Sequence, residues 1–260
     1  MNVAIIGAGM SGLMAAHALY TVGVSQIDIY DRCQPNVSQQ KGLHYLHGRC
    51  DLPLQPVRLK NLVVKPSDLD IEANVQYSRK VWGNDGVLNN SLVNLPDETE
   101  VYDFRAAYQI LQSRYEHLIT PVNVTKMRVE RLLEERDLVI STIPLQVLYP
   151  HAVCESETVY VSESLPQNVE LSDFTVMYNL EMNVPWYRAS KVFGQTYTEY
   201  VGAHETTIPI KKIKTQTTID MDQEFTERGL LMVGRFAEWN RKRLVHEIYD
   251  IVRRTAEYGN

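Results

Sequence analysis

Three glycines, Gly7, Gly9 and Gly12, follow the apolar run Val3-Ala4-Ile5-Ile6 in the spacing G-x-G-x-x-G. Such a spacing suits a backbone that must turn sharply and let a charged group approach. Gly7 allows the tight turn out of a strand. Gly9 has no side chain to keep a pyrophosphate away, and Gly12 lets helix and strand pack closely. Asp31 lies about 20 residues further on, where a carboxylate can accept hydrogen bonds from an adenosine ribose. The intervening pattern is in register: an Ala-rich helix running to about Tyr20, then a strand, Gln26-Ile27-Asp28-Ile29-Tyr30. The helix start adds unpaired N–H groups and a partial positive charge. The stretch predicts a dinucleotide site, with Met10, Ser11 and Arg32 among its contacts. A mere glycine turn in an ordinary β-α-β unit would leave Asp31 unexplained.

Two further groups can do chemistry. The segment Lys41-Gly42-Leu43-His44-Tyr45-Leu46-His47-Gly48 carries two histidines three residues apart, bracketed by glycines that let backbone pass close to a ligand. On residue types alone they read more readily as ordinary strand or turn histidines than as ligand contacts. Near the other end, Gly229-Leu230-Leu231-Met232-Val233-Gly234-Arg235-Phe236-Ala237-Glu238-Trp239 is a buried strand ending at Gly-Arg. It offers a second backbone approach to the same ligand, and Arg235 can pair with phosphate.

Composition bounds the setting. The 260 residues suffice for one large domain or two intimate ones, and 44% hydrophobic with 22% charged residues is that of a soluble globular protein. A net charge of −6 gives no support for attraction to nucleic acid or acidic membranes, Arg241-Lys242-Arg243 being a local exception. Cys33, Cys50 and Cys154 form no C-x-x-C pair, which argues against a disulfide scaffold or a zinc site and for a reducing, cytoplasmic compartment. The apolar start lacks a basic leader, and no run of about 20 apolar residues exists, so neither a signal peptide nor a membrane span is expected.

The elements that must position these residues read as follows. Val57 to Val81 alternates as strands of an antiparallel sheet, and Asn84-Asp85-Gly86 signals a turn. Asp103 is placed to cap a helix running to about Leu118. Val122-Asn123-Val124 reads as a short strand and Arg128 to Arg136 as a charged connection. Asp137 to Pro144 reads as a buried parallel strand beside the first. Strand signals dominate from Thr158 to Asp220, and they predict a second sheet walling a ligand. Residues 240–256 read as a helix with Leu244, Ile248, Ile251 and Val252 on one side.

Taken together, the two ends resemble a flavoprotein family. Gly234-Arg235-Phe236-Ala237-Glu238-Trp239 is similar to the Gly-Arg-x-x-x-aromatic signature of UDP-galactopyranose mutases, within the larger amine-oxidase-like FAD superfamily. Lys41 to His47 resembles the Gly-Pro-His-aliphatic-Phe-His segment beside the flavin ring. Tyr77 to Gly83 resembles, more loosely, a Lys-Gln-Trp-Gly element, and Val184-Pro185-Trp186-Tyr187-Arg188 resembles the Pro-Tyr-Thr-Arg segment of the substrate sheet. The resemblance implies an α/β fold: a Rossmann-like FAD-binding domain of the glutathione-reductase type with an antiparallel-sheet substrate region. FAD-binding parts are then expected at 1–56, 121–150 and 226–260, with the substrate or cap region at 57–120 and the substrate sheet at 151–225.

The implied cofactor is FAD, held by Gly7, Gly9, Met10, Ser11, Gly12, Asp31, Arg32, Val124, Gly234, Arg235 and Trp239. His44 and His47 are implied at the flavin edge, and Arg188 is implied to orient an anionic substrate. The implied activity is that of an oxidoreductase taking hydride from a C–N or similar bond of a small or polymer-attached substrate. The mutases carry Asp-Met after the Gly-Arg turn, where this chain has Arg243-Leu244, and the chain leaves little room for a helical uridine-binding insertion. Arg243 reads as part of a solvated basic helix face rather than as a phosphate partner. Other readings are a non-redox mutase or lyase, a compact phage-type member acting on an amine-bearing DNA base, an NAD-dependent dehydrogenase, and a non-catalytic dinucleotide-binding protein. Oligomeric state is left open.

Overall fold

In the computed structural model, residues 1–33, 45–66, 72–83, 92, 95–213 and 228–258 are described. Two sheets organise them. The first contains β1 (Asn2–Ile6), β2 (Gln26–Asp31), β6 (Ile119–Pro121), β7 (Leu138–Ser141) and β13 (Leu230–Met232). All neighbours are parallel, in the order β13-β7-β1-β2-β6. Renumbered in chain order, this is the doubly wound 3-2-1-4-5 arrangement, whose order reverses between β1 and β7. Both faces are covered. Val3 and Ile5 enter one core with the helices α1 (Met10–Thr21), α3 (Phe104–Tyr115) and α6 (Val245–Tyr258). Ala4 and Ile6 enter another with α4 (Lys126–Glu135) and α5 (Leu145–Leu148). Burial on both faces is why β1 and β7 read as unbroken apolar runs.

The second sheet is mixed and runs β12-β8-β11-β10-β9-β4-β5-β3. Its strands are β3 (Tyr45–Leu46), β4 (Val57–Val64), β5 (Glu98–Asp103), β8 (Ser156–Ser162), β9 (Thr175–Asn179), β10 (Trp186–Val192), β11 (Gln195–Tyr200) and β12 (Ile208–Ile213). Neighbours are antiparallel except β4 and β9, which run parallel. The α/β class, the parallel sheet and the largely antiparallel second sheet agree with the sequence reading.

Four local expectations need correction. Residues 73–82 form the helix α2 (Ala73–Trp82), not strand. Val75 and Val81 suggest alternation, but the buried positions Asn74, Tyr77 and Ser78 follow a helical spacing. Gly83 closes α2 in the left-handed region at φ 71°, its N–H bonded to Arg79 O. Residues 126–135 are α4 rather than a connection: Thr125 caps it, and Val129, Leu132 and Leu133 make a narrow buried stripe beneath a charged surface. The strand expected at 122–124 lies at 119–121, where it pairs with the end of β2. The last helix starts at Val245, with Leu244 N–H donating to Glu247 at its entrance. The turn expected at Asn84-Asp85-Gly86 and the strand residues beyond Ile213 lie outside the described residues.

Candidate active site

The carboxyl ends of all five parallel strands open into one cavity of about 1160 Å³. Ile6 ends β1 and Gly7 follows it, Asp31 ends β2 and Arg32 follows it, and Val122 and Val124 follow β6. Thr142 to Pro144 follow β7, and Arg235 and Phe236 follow β13. This is where open α/β sheets bind ligands. The second sheet supplies the opposite wall through Tyr45, Asn61, Tyr178, Arg188, Glu199 and Lys212.

The glycine turn separates what the fold needs from what it leaves open. Gly7 sits at φ +102°, and a side chain there would come within 2.4 Å of Thr142 Oγ1. One at Gly12 would come within 1.8 Å of Gly7 O, so α1 seats directly on the turn. Gly9 differs. Its backbone is ordinary, φ −67° and ψ −178°, and an added Cβ would meet no protein atom within 4 Å. Nothing in the protein requires glycine there. A ligand drawn close to the backbone would. Gly9 caps α1 without a side-chain hydrogen bond, and the first turn contains no acid, so the positive helix end faces the cavity with no acid of its own. These residues fit a dinucleotide pyrophosphate.

Asp31 holds the same turn. Its Oδ2 accepts from Ala8 N–H at 2.6 Å and its Oδ1 from Cys33 N–H at 3.2 Å. Asp31 also lines the cavity, so it ties the turn and faces the open space in front of it. Met10, Ser11, Arg32, Val124 and Arg235 line the cavity too. Gly12, Gly234 and Trp239 are not among its lining residues. Gly234, at φ +105°, packs its turn against Ser11 of α1, where an added Cβ would lie 2.9 Å from Ser11 Oγ. Trp239 is buried in the core with Phe236 at its edge, so it supports the Gly-Arg turn from behind.

Arg243 is neither a solvated helix residue nor a free phosphate partner. It lies before α6 and grips Glu238 with Nε and Nη2 at 2.7–2.9 Å, while Glu238 Oε1 also accepts from Gly234 N–H at 2.9 Å. Nearby, the Arg241 guanidinium lies 5.4 Å over the Trp82 ring and links this loop to the end of α2.

His47 lines the cavity, with its ring 5.9 Å from that of His246 on α6 and 5.0 Å from Tyr45. Burial and the charge of His246 both lower the pKa of His47, and burial lowers that of His246. His44 lies outside the described residues. His246 was not legible as a site residue because only the return of α6 onto Gly48 brings it there.

On the second sheet, register aligns Tyr178, Arg188 and Glu199 in one row across β9, β10 and β11. The Glu199 side chain is 4% exposed. Its Oε1 accepts from Arg188 Nη2, and its Oε2 accepts from Lys212 Nζ at 2.8 Å. Burial alone would raise the Glu199 pKa, but Arg188 and Lys212 outweigh it and hold the carboxyl at about 2. Burial pushes the Tyr45 hydroxyl up to about 12, so it stays neutral. Sequence reading found Arg188 but not Glu199 or Lys212. A charged residue in an alternating strand gives no sign of which face is wet.

No family model matches the chain, and no curated protein sequence matches it. Solved structures do match. One is a reduced UDP-galactopyranose mutase, with TM-score 0.59 and 12% identity, covering 99% of this chain and 95% of that one. Another is the tryptophan 5-halogenase MibH, with TM-score 0.59 and 11% identity, covering 98% of this chain and 66% of that one. At these identities the likeness is one of fold, and both share the α/β architecture described above.

Proposed function

We propose that this chain is an FAD-dependent enzyme, and that its cofactor unit is built from segments 1–56, 121–150 and 226–260. The observation that carries the reading is Gly9: a glycine with ordinary backbone angles and open space at its Cβ, at an uncapped helix end on the cavity. The fold shared with a mutase and a halogenase supports it. The α1 N–H groups and Arg235 would hold the pyrophosphate, and Asp31 would meet the ribose through whichever lone pairs the turn leaves free. His47 would lie toward the flavin edge, and Arg188 would face the substrate from the opposite wall.

Bound FAD supplies a hydride acceptor, which protein side chains cannot. The favoured activity is oxidation of a C–N or similar bond in a small or polymer-attached substrate. The residues' share is to bind, orient and exclude water. Burial and the charge of His246 favour the neutral form of His47, so its ring would orient a substrate amine through a hydrogen bond. A second reading, a non-redox mutase or lyase, is supported by the span of the mutase match: this chain covers 95% of that structure, so its length does not separate the two.

The test is the visible spectrum of the purified protein, followed by chromatography of the heat-released cofactor. Yellow protein releasing FAD is the expected result, and colourless protein that cannot be reconstituted with FAD would overturn the reading. Reduction of the bound flavin by an amine without other donors favours the oxidoreductase. Turnover only after chemical reduction, with no net oxidation of substrate, favours the mutase or lyase.

A further inference from the structure

His47 enters the cavity from a backbone that is held on both sides. Before it, Tyr45 and Leu46 pair with β5. After it, with Gly48 between, Arg49 to Leu52 form a turn closed by Leu52 N–H donating to Arg49 O at 3.1 Å. The two central residues stand in the left-handed region, Cys50 at φ 52° and Asp51 at φ 53°. A type I′ turn requires such a pair, and glycine, asparagine and aspartate are its usual occupants. Cys50 is not among them. It holds that conformation only because the surroundings over-determine it. Those surroundings are one face of α6. The His246 ring packs on Gly48, where an added Cβ would lie 3.2 Å from it. Burial pushes the Cys50 thiol up to about 12, so it stays protonated, with Gly48 O at 3.5 Å and His246 O at 3.7 Å as acceptors. Three residues further along α6, the Tyr249 hydroxyl donates to Asp51 Oδ2 at 2.5 Å. That bond is charge-assisted, which makes it the strongest tie between α6 and the turn among the described residues.

We propose that the Tyr249 hydroxyl latches this turn, and that Tyr249 and Asp51 are positioning residues that fix where the His47 ring stands in the cavity. Leu46 and Leu52 are buried at the two ends of the segment, so only the backbone between them can shift. Without the latch, Cys50 is free to leave the left-handed region, and Gly48, having no side chain, passes the change to His47. α6 ties this motion to the rest of the site. Its first residues, Val245 and His246, line the cavity, and Tyr249 lies one turn beyond them. The groups that act on the His47 ring are His246 of α6 and Tyr45 of β3. Those that act on the Asp51–Tyr249 bond are His17 and Thr21 of α1 and Arg253 of α6. The bearing of the latch on catalysis rests on the reading of His47 as a residue of the flavin edge.

The test reads histidine ring signals by NMR in the protein with and without FAD, assigned with His17→Gln, His47→Gln and His246→Gln. In the wild-type protein His47 should titrate below 6.5 and show a ring-to-ring contact with His246. Tyr249→Phe removes the hydroxyl and keeps the buried ring. It should move the His47 titration up toward 6.5 and abolish that contact, since a ring released from His246 is more fully solvated. Asp51→Ala removes the acceptor at an exposed position and should do the same, and the double variant should do no more. Asp51→Asn keeps an acceptor and tolerates left-handed backbone, so it should behave as wild type. A merely structural role would lower the melting temperature and leave the His47 titration unmoved. That result, in whichever of Tyr249→Phe and Asp51→Ala folds, overturns the latch, and so does Asp51→Asn behaving like Asp51→Ala. With FAD bound, the visible absorbance band should shift over the pH range in which His47 titrates. An unresponsive band takes His47 away from the flavin edge and leaves the latch standing. Failure to bind FAD overturns the flavin reading, while the histidine signals still decide the latch.

Discussion

A side chain at position 9 meets open space, whereas one at position 12 runs into the backbone of Gly7. The two substitutions are therefore expected to fail differently. Gly9→Val should fold with a melting temperature lowered only slightly, by its poorer N-cap, when no cofactor is added, yet lose FAD retention. Gly12→Val should lose both, because α1 can no longer seat on the turn. Melting curves and flavin content of the two variants check this, and FAD-replete Gly9→Val would defeat the assignment. The histidines give a pH expectation at the same scale. His17, His47 and His246 all have pKa values lowered below 6.5 by burial. The unfolded chain then takes up these protons more readily than the folded one, so stability is full above about pH 6.5 and falls as pH drops toward the folded values. Melting temperature should fall between about pH 7 and pH 5. The fall should be shallower in the double variant His47→Gln, His246→Gln. An unchanged slope would mean that the pair does not stay packed and neutral.

Among the elements, α3 is the one whose start was most legible. Asp103 Oδ1 accepts from Arg105 N–H at 2.8 Å and Ala106 N–H at 3.1 Å, as a helix cap should. Asp103→Ala should cost about 1 kcal/mol, read as a lower urea midpoint with an unchanged slope. α2 was misread because its β-branched residues point to strand while its buried face is polar. Asn74, Ser78 and Lys80 are buried, and Lys80 Nζ donates to Asn179 O at 3.0 Å and Glu181 O at 2.6 Å. Hydrophobic periodicity does not register such a face. Gly83 after Arg79 and Lys80 was the available stop signal. Lys80→Met should leave two carbonyls short of a donor and destabilise the protein by about 1–3 kcal/mol in the same urea assay.

At the scale of the whole molecule, one cavity joins the carboxyl ends of the parallel sheet to the wall of the second sheet. A ligand filling it would contact both sheets, so its binding energy should stabilise them together. FAD at one hundred times its dissociation constant should add about 2.7 kcal/mol to unfolding by mass action. Denaturant unfolding with and without FAD, followed by both tryptophan and flavin signals, should show one transition displaced to higher denaturant. Two separated transitions, only one of them displaced, would mean that the cavity does not couple the sheets.

The sequence determined the parallel sheet almost completely. Its strands are buried on both faces, and their apolar runs, the glycine spacing and Asp31 are local signals that need no partner to be read. It also determined that the chain returns to the first sheet twice, at Leu138 beside β1 and at Leu230 beside β7. Tertiary structure alone decided the opposite wall. Arg188, Glu199 and Lys212 stand on three different strands, and the spatial order of the second sheet departs from chain order, with β12 pairing β8 and β11 lying between β8 and β10. His246 reaches His47 only through the docking of α6, and Arg243 finds Glu238 only through the turn that precedes it. Charged and polar residues carry no local mark of the face they will occupy. Their roles follow from strand order and helix docking, which long-range packing sets.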